Sequence, residues 1–502
     1  MDKKRVSRLI ITTFFMFIAV LALLSAIWYI NIYGNIGFSA IIFTLTVDNG
    51  SVEEGLLQSF FTQALLPSVL IVAFVMLFLN IRLKRALCLT NQKTNKSYMI
   101  FPFSRKVASV VSIVLIISCI ITAACLVSVP QYIVSLLDKT QIYDEEYVDP
   151  DTVKITFPEE KRNLIYIMLE SMETSFFSED LGGGLEYNVI PELYDLAKEN
   201  VNFSHTQGVG GWGEVTNTIW TVASIVSQTS GIPLSIPMKR NTYGKTAPFL
   251  PGVKSINNIL KENGYNQAVM FGSDGNYAGR DQYYLQHGVD KVYDLMSARE
   301  DGTIPKKYKV WWGMEDMRLY EYARNVIPQM AEKDEPFFFS MLTVDTHHVG
   351  GYKCSICGDQ YDEKYENVYA CASKQVLEFV NWIKEQPFYE NTSIIIVGDH
   401  ASMDAEYFDR NFDSNYERHM YNCFINCPVE TENTKDRVFT PMDMFPTTLA
   451  AIGCEIEGER LGLGTNLYSD VPTLAEKYTI EKLNSELGKT SSYYMKEFAQ
   501  SK

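Results

Sequence analysis

Charge is missing from one long stretch of this 502-residue chain. Leu9 to Asn31, LIITTFFMFIAVLALLSAIWYIN, holds no Asp, Glu, Lys, Arg or His. That is enough to span a hydrocarbon core of ~30 Å as a helix. Two further apolar runs, near Ala64–Leu79 and Val107–Val129, are expected to do the same. Acid is scarce across this region: residues 1–135 carry 4 Asp/Glu against 11 Lys/Arg, for a net charge of +7. The basic residues fall in MDKKRVSR and in RLKRALCLTNQKTNKSYMIFPFSRK, whereas the connection between the first two runs has only Asp48, Glu53 and Glu54. The excess of Lys and Arg on one side predicts a cytoplasmic N-terminus and an extracytoplasmic remainder. No small-residue cleavage site follows the first run, which argues against a removed signal peptide.

The rest of the chain has the opposite balance, a net charge of −23. Such a surface repels phosphate backbones, so a nucleic-acid partner is not expected. Cysteine is sparse, with nine in all. Six of them (Cys354, Cys357, Cys371, Cys423, Cys427 and Cys454) lie in the acidic part, where an even number suits disulfides of an oxidising compartment. CSIC at 354–357 has no second CxxC to complete a zinc knuckle, so disulfides are the expectation. The domain boundaries read from these shifts are a membrane domain 1–135, a polar linker 136–162 and a globular domain 163–502.

From Asn163 onward, short apolar runs alternate with amphipathic stretches. NLIYIML, NQAVMFGS, PFFFSMLTVD and TSIIIVGD read as strands, and ASKQVLEFVNWIKEQ as a helix. Alternation of this kind predicts an α/β fold with a central, mostly parallel sheet. Ligands gather at the carboxyl ends of such strands. There the sequence has Glu170, Asp274, Asp345 to His348, and Asp399 with His400. One carboxylate at a strand end is usually just solvated. Glu170, Asp399 and His400 together make an oxygen/nitrogen donor set for one divalent cation, better suited to Mn²⁺, Zn²⁺ or Mg²⁺ than to copper.

A nucleophile is offered by QGVGGWGEVTNTIWTVASIVSQTSGIPL, where a glycine-rich loop gives way to a helical pattern near Thr218. Free amides at a helix start hold an anion, and a bound metal lowers a hydroxyl's pKa. Thr216, Thr218 or Thr221 could equally be a helix cap.

These segments resemble the lipoteichoic acid synthase and phosphoglycerol transferase family, within the sulfatase-like alkaline phosphatase superfamily. NLIYIMLES, TNTIWTVASIVSQTSGIPL, GRDQYYLQHGVDKVYD, MLTVDTHH and IIIVGDHASM carry the likeness. Through the second and fourth of these segments the chain is similar to the phosphoglycerol transferases that decorate periplasmic glucans. The resemblance implies a phosphotransferase, anchored in the membrane with its catalytic domain outside. It implies one metal ion, usually manganese, held by Glu170, Thr218, Asp399 and His400, with Thr218 as nucleophile and Thr216 and Thr221 still open. It also implies Arg280 and His347 on the phosphoglycerol group, phosphatidylglycerol as donor and a glycan or polymer hydroxyl as acceptor. The synthases have a Trp two residues before this Arg. Here that position is Ala278, and phosphoethanolamine transfer is the runner-up. A sulfatase-like hydrolase is a further alternative, although no C/S-x-P-x-R pentapeptide occurs. A silent membrane receptor would not need Glu170, Thr218, Asp399 and His400 all intact.

Overall fold

The protein is described by a computed structural model covering residues 3–34, 38, 41–42, 54–81, 83, 86–94, 96–235 and 248–500. Asp48 and Glu53, from the acidic connection, and Arg82, Lys84 and Arg85, from the basic one, lie outside the described residues. The chain divides into two compact units, one reaching to Ile133 and the other taking in everything from Val134.

The first unit is built on helices α1 (Lys3–Tyr33), α2 (Leu66–Asn80) and α3 (Arg105–Leu126). Among the described residues, the stretches Val6–Tyr33, Leu57–Asn80 and Arg105–Leu126 are long and apolar enough to cross a membrane. They match the three expected runs, and mark a membrane protein. Met16, Val20, Val72 and Met76 pack into a small core between α1 and α2. Much of the remaining apolar surface, including Phe14, Phe74 and Ile117, is exposed, as lipid-facing residues are expected to be.

The second unit is an α/β domain. In chain order its principal elements are β1 (Asn163–Leu169), α4 (Pro191–Glu199), β2 (Gly211–Gly213), α5 (Thr221–Ser230), β3 (Asn266–Phe271), α6 (Arg280–Gln286), β4 (Lys291–Tyr293), α7 (Asp316–Ala331), β5 (Phe337–Leu342), α8 (Lys364–Lys384), β6 (Thr392–Gly398) and β7 (His419–Ile425). The seven strands form one sheet in the order β2-β7-β6-β1-β5-β3-β4, in which β7 pairs antiparallel with both β2 and β6 and the other pairs are parallel. The sheet is therefore mostly parallel, as expected.

The β-branched run Ile394, Ile395, Ile396 and Val397 is wholly buried at the centre of this sheet. Burial of each such side chain contributes about 1.5–3 kcal/mol relative to exposure. Packing of this kind on both faces is what a continuous apolar run, rather than an alternating one, requires. Gly398 ends the strand for a different reason. A Cβ there would fall 1.9 Å from the Met172 carbonyl oxygen, so only glycine lets the two backbones pass. Asp399 and His400 follow at that rim.

Candidate metal and nucleophile site

Glu170 leaves the carboxyl end of β1, and Asp399 and His400 leave the end of the adjacent parallel strand β6. Glu170, Asp399 and His400 each bring a donor atom within 4.8 Å of the others, and all three are buried. His400 Nε2 stands 3.4 Å from Asp399 Oδ2 and 3.6 Å from Glu170 Oε1. The imidazole is oriented from behind, because Nδ1 lies 2.8 Å from the Ala401 carbonyl oxygen. With its proton on Nδ1, the ring turns the Nε2 lone pair towards the carboxylates.

Asp399 is divided in its bonding. Its Oδ1 accepts from the backbone N–H groups of Ser171 (2.7 Å) and His400 (2.8 Å). Its Oδ2 is buried with no hydrogen-bond partner. An orphaned carboxylate oxygen costs about 1–3 kcal/mol or more unless something positive meets it. The orphan atom, the lone pair facing it and the second carboxylate together fit a divalent cation held by O and N donors. Protonation is the alternative relief. Burial and the neighbouring Glu170 charge push the Asp399 carboxyl up to about 7. Burial opposes charge on His400, but Asp399 and Glu170 outweigh it and raise the ring to about 9.

Helix α5 faces this cluster. Ser224 Oγ donates to the Asp399 carbonyl, Gln228 Nε2 donates to the Gly398 carbonyl at 3.3 Å, and Tyr166 on β1 donates to Gln228 Oε1 at 2.6 Å. The helix hydroxyl that reaches the cluster is that of Thr221, the first residue of α5, with Oγ1 3.3 Å from His400 Nε2; from β1's side, Ser171 Oγ donates to Glu170 Oε1 at 2.9 Å. The N-cap residue, Trp220, is extended (φ −150°, ψ 159°) and makes no side-chain cap, so the first amides are free of that partner.

Thr218, the expected nucleophile, is not brought to the cluster by any hydrogen bond. It closes a tight turn in which its Oγ1 donates to the Val215 carbonyl at 2.7 Å and accepts from the Val215 N–H at 3.2 Å. Asn217 holds that turn in the left-handed region (φ 66°), and Thr218 is fully buried. The helix consequently begins three residues later than the apolar pattern suggests. Thr216 is tied to Asn484 and does not enter either.

Arg280 and His347 belong to one continuous wall. Arg280 is buried at the start of α6, its guanidinium stacked over Phe271 (4.6 Å) and Tyr277 (5.6 Å). It donates to Ser273 Oγ at 2.8 Å and to the Asp274 carbonyl at 2.6 Å, while its Nε has no partner. Trp312 joins Tyr277 to His347, with ring centroids 5.6 and 4.6 Å away respectively. Trp312 was not signalled by the motifs. It comes from a different loop than the position occupied by Ala278, yet it supplies an aromatic face beside Arg280's neighbour.

Two further acids were also missed. Glu214 accepts from the Ala401 N–H at 2.7 Å, and burial raises its pKa. Glu173 accepts from the Ser402 N–H at 2.9 Å and is paired with Arg418. Together they fix the 400–402 backbone. Glu173 could have been noticed as the second acid of LESME, but nothing local indicates that it braces a loop more than 220 residues away. A separate cleft of about 950 Å³ opens at the amino ends of the strands, lined by Arg162, Asn391 and Pro428, and contains no member of the cluster.

The six cysteines of this unit form no disulfide, contrary to expectation. Cys423 sits within β7 and its Sγ donates to the Leu196 carbonyl, and Cys427 donates to the Ile425 carbonyl. These thiols are used in packing rather than in cross-links.

A mostly parallel sheet that gathers two carboxylates, an imidazole and a helix-borne hydroxyl at its strand ends defines a domain of the alkaline phosphatase superfamily. The chain belongs to the sulfatase family, whose model matches residues 162–454. It is 28% identical over 326 residues to phosphoglycerol transferase I of Xanthomonas axonopodis pv. citri (strain 306), covering 63% of this chain and 44% of that protein. To phosphoglycerol transferase I of Salmonella choleraesuis (strain SC-B67) it is 31% identical over 254 residues, covering 49% of this chain and 32% of the relative. The matches thus span less than half the length of these curated relatives. Among solved structures, the lipooligosaccharide phosphoethanolamine transferase A of Neisseria meningitidis superposes with a TM-score of 0.50 at 12% identity, covering 89% of this chain and 84% of that one. That likeness concerns the fold. The superfamily is metal-dependent, and Glu170, Asp399 and His400 are this chain's candidate site.

Proposed function

We propose that the protein is a membrane-anchored phosphotransferase that moves a phosphoglycerol group from phosphatidylglycerol to a glycan or polymer hydroxyl, with Thr221 as its nucleophile. The observation that carries this reading is the Thr221 hydroxyl at a helix start, 3.3 Å from His400 Nε2 and beside two buried carboxylates. The similarity to two phosphoglycerol transferases supports the choice of headgroup.

In the first half-reaction Thr221 Oγ1 forms a bond to phosphorus and loses its proton. The bond from phosphorus to the diacylglycerol oxygen breaks, and that oxygen takes up a proton. A phosphoglycerol-threonine ester remains. In the second, the acceptor hydroxyl displaces Thr221 and restores its proton, so one site serves both steps. A divalent ion bound by Glu170, Asp399 and His400, which we take to be manganese, would lower the hydroxyl's pKa and offset charge on phosphate. Arg280 is suited to hold a non-bridging phosphate oxygen, since its Nε is buried and unbonded and the guanidinium plane is fixed by its stacking. His347, on the same wall as Arg280, is assigned the protonation of a leaving oxygen or a bond to phosphate. With the N-terminus in the cytoplasm, the membrane helices confine this site to the outer bilayer surface, where the donor lipid lies.

The test is release of diacylglycerol by the full chain in detergent, supplied with Mn²⁺ and with vesicles of phosphatidylglycerol or, separately, phosphatidylethanolamine. Release from the first alone supports the proposal. Release from the second alone would make the headgroup ethanolamine, and release from neither would defeat the lipid-donor reading.

A further inference from the structure

The thiols of Cys354, Cys357 and Cys371 converge although they come from separate elements. CSIC lies in the loop that follows β5, and Cys371 lies two turns into α8. The Cys354 Sγ is 3.4 Å from that of Cys357 and 3.9 Å from that of Cys371, and all three lie within 4.8 Å of one another. With Zn–S bonds of about 2.3 Å, tetrahedral geometry sets neighbouring sulfurs roughly 3.8 Å apart. A disulfide among the three would leave one thiol odd, and none is formed. We propose that this cluster is a second cation site, distinct from that of Glu170, Asp399 and His400, and that it takes a thiophilic divalent ion of the zinc kind.

A separate observation points the same way. Asp345, at the carboxyl end of β5, is 2% exposed, and neither of its carboxylate oxygens has a hydrogen-bond partner. Asp316 and Cys354 are its neighbours, and the oxygens of Asp316 are taken by the N–H groups of Val344 (2.7 Å) and Asp345 (3.2 Å). Burial and these neighbours hold the Asp345 carboxyl well above the ordinary carboxylate range, and a cation among the thiols would offset the cost of ionising it. Two of the cysteines are buried and Cys357 is half-buried, which leaves one side for water as the fourth donor. The donor types keep the two sites apart chemically: sulfur selects zinc-like ions, and the oxygen/nitrogen set suits harder ones. Binding releases the thiol protons and staples the CSIC loop to α8. That loop leads from Tyr352, which stacks on Trp311 at 6.2 Å. The staple would therefore steady the wall that contains His347.

The experiment uses the full chain in detergent as Asp399→Asn, which disables the oxygen/nitrogen site, alone and combined with Cys371→Ser or Cys357→Ser. Metal content is measured by mass spectrometry, followed by exchange with Co²⁺. The proposal expects about one zinc per Asp399→Asn chain, a sulfur-to-cobalt charge-transfer band in the near ultraviolet, and loss of both in the cysteine variants. Should those variants fail to fold, the band in Asp399→Asn alone decides, because the catalytic cluster contains no sulfur. An Asp399→Asn chain without zinc and without that band would overturn the proposal. So would peptide mapping that finds a Cys354–Cys357 or Cys354–Cys371 disulfide in the protein as purified.

Discussion

Thr218 and Thr221 are the same residue type three positions apart, yet their hydroxyls are put to different uses. The first belongs to a turn that consumes it: the Val215 carbonyl and N–H take both its proton and a lone pair, and no exposed surface is left. The second opens a helix whose next nine residues are buried, and its hydroxyl points at an imidazole flanked by carboxylates. Reactivity here follows from what else competes for the oxygen. A hydroxyl already satisfied by its own backbone gains little by attacking phosphorus. One delivered to an under-satisfied, negatively charged cluster has a chemical reason to be there.

The strongest way to break this contrast is to exchange the alanines. Thr221→Ala should reduce diacylglycerol release by about 10³-fold or more with the fold retained, and Thr221→Ser should restore part of the rate. Thr218→Ala should remain within about tenfold of wild type and cost about 1 kcal/mol of stability through its lost turn bond. Turnover and thermal melts of the same preparations separate the two effects. Reversed results would return the nucleophile to Thr218.

Asp399→Asn tests what makes Thr221 different. Losing a charged donor from three should lower retention of the catalytic metal by at least tenfold, and activity should fall about as far as in Thr221→Ala. Metal content measured beside turnover would show this. An inactive variant with full metal occupancy would mean that Asp399 is no ligand.

Arg280→Lys sharpens the account at the phosphate end. A point charge in place of a stacked, forked cation should lower kcat/KM by about 10- to 100-fold while leaving the Thr221 hydroxyl in place. Steady-state kinetics on phosphatidylglycerol vesicles give the number. An unchanged kcat/KM would remove Arg280 from the site.

The smallest effect concerns the strand from which both threonines emerge. His419 on β7 pairs with Gly213 on β2 and stacks on His205 at 3.4 Å. Burial and the neighbouring His205 ring push its pKa down to about 4 from the ordinary 6.5. The stability of keeping it neutral is thus present above pH 6.5 and is lost progressively as pH falls towards 4. Melting temperatures of wild type and His419→Gln, followed from pH 7 to 4, should show wild type losing more. Parallel curves would mean that His419 does not titrate in this window.

The legible parts of the sequence were those fixed by local pattern. NLIYIML is a strand over the residues expected, because β-branched and long apolar side chains fill both faces of a buried parallel sheet. The Asp-His pair follows such a strand, and Glu170 follows its neighbour, so the three candidate ligands could be named in advance. The helix start could not. TIWTVASIVSQ has helical spacing from Thr218, but Trp220 is extended, Asn217 is left-handed, and Thr216 and Asn217 are tied to the distant Asn484 and Leu487. Trp312 beside His347, Glu173 under Ser402 and Cys371 against CSIC are likewise products of long-range packing, which spacing along the chain does not encode.

The account turns on which oxygen becomes bonded to phosphorus. Wild-type protein should be incubated with phosphatidylglycerol and Mn²⁺, quenched in acid, digested and sequenced by tandem mass spectrometry. A glycerol phosphate adduct on Thr221, absent from Thr221→Ala and retained in Thr218→Ala, is the predicted result. An adduct on Thr218, or diacylglycerol release with no adduct on either threonine, would contradict it.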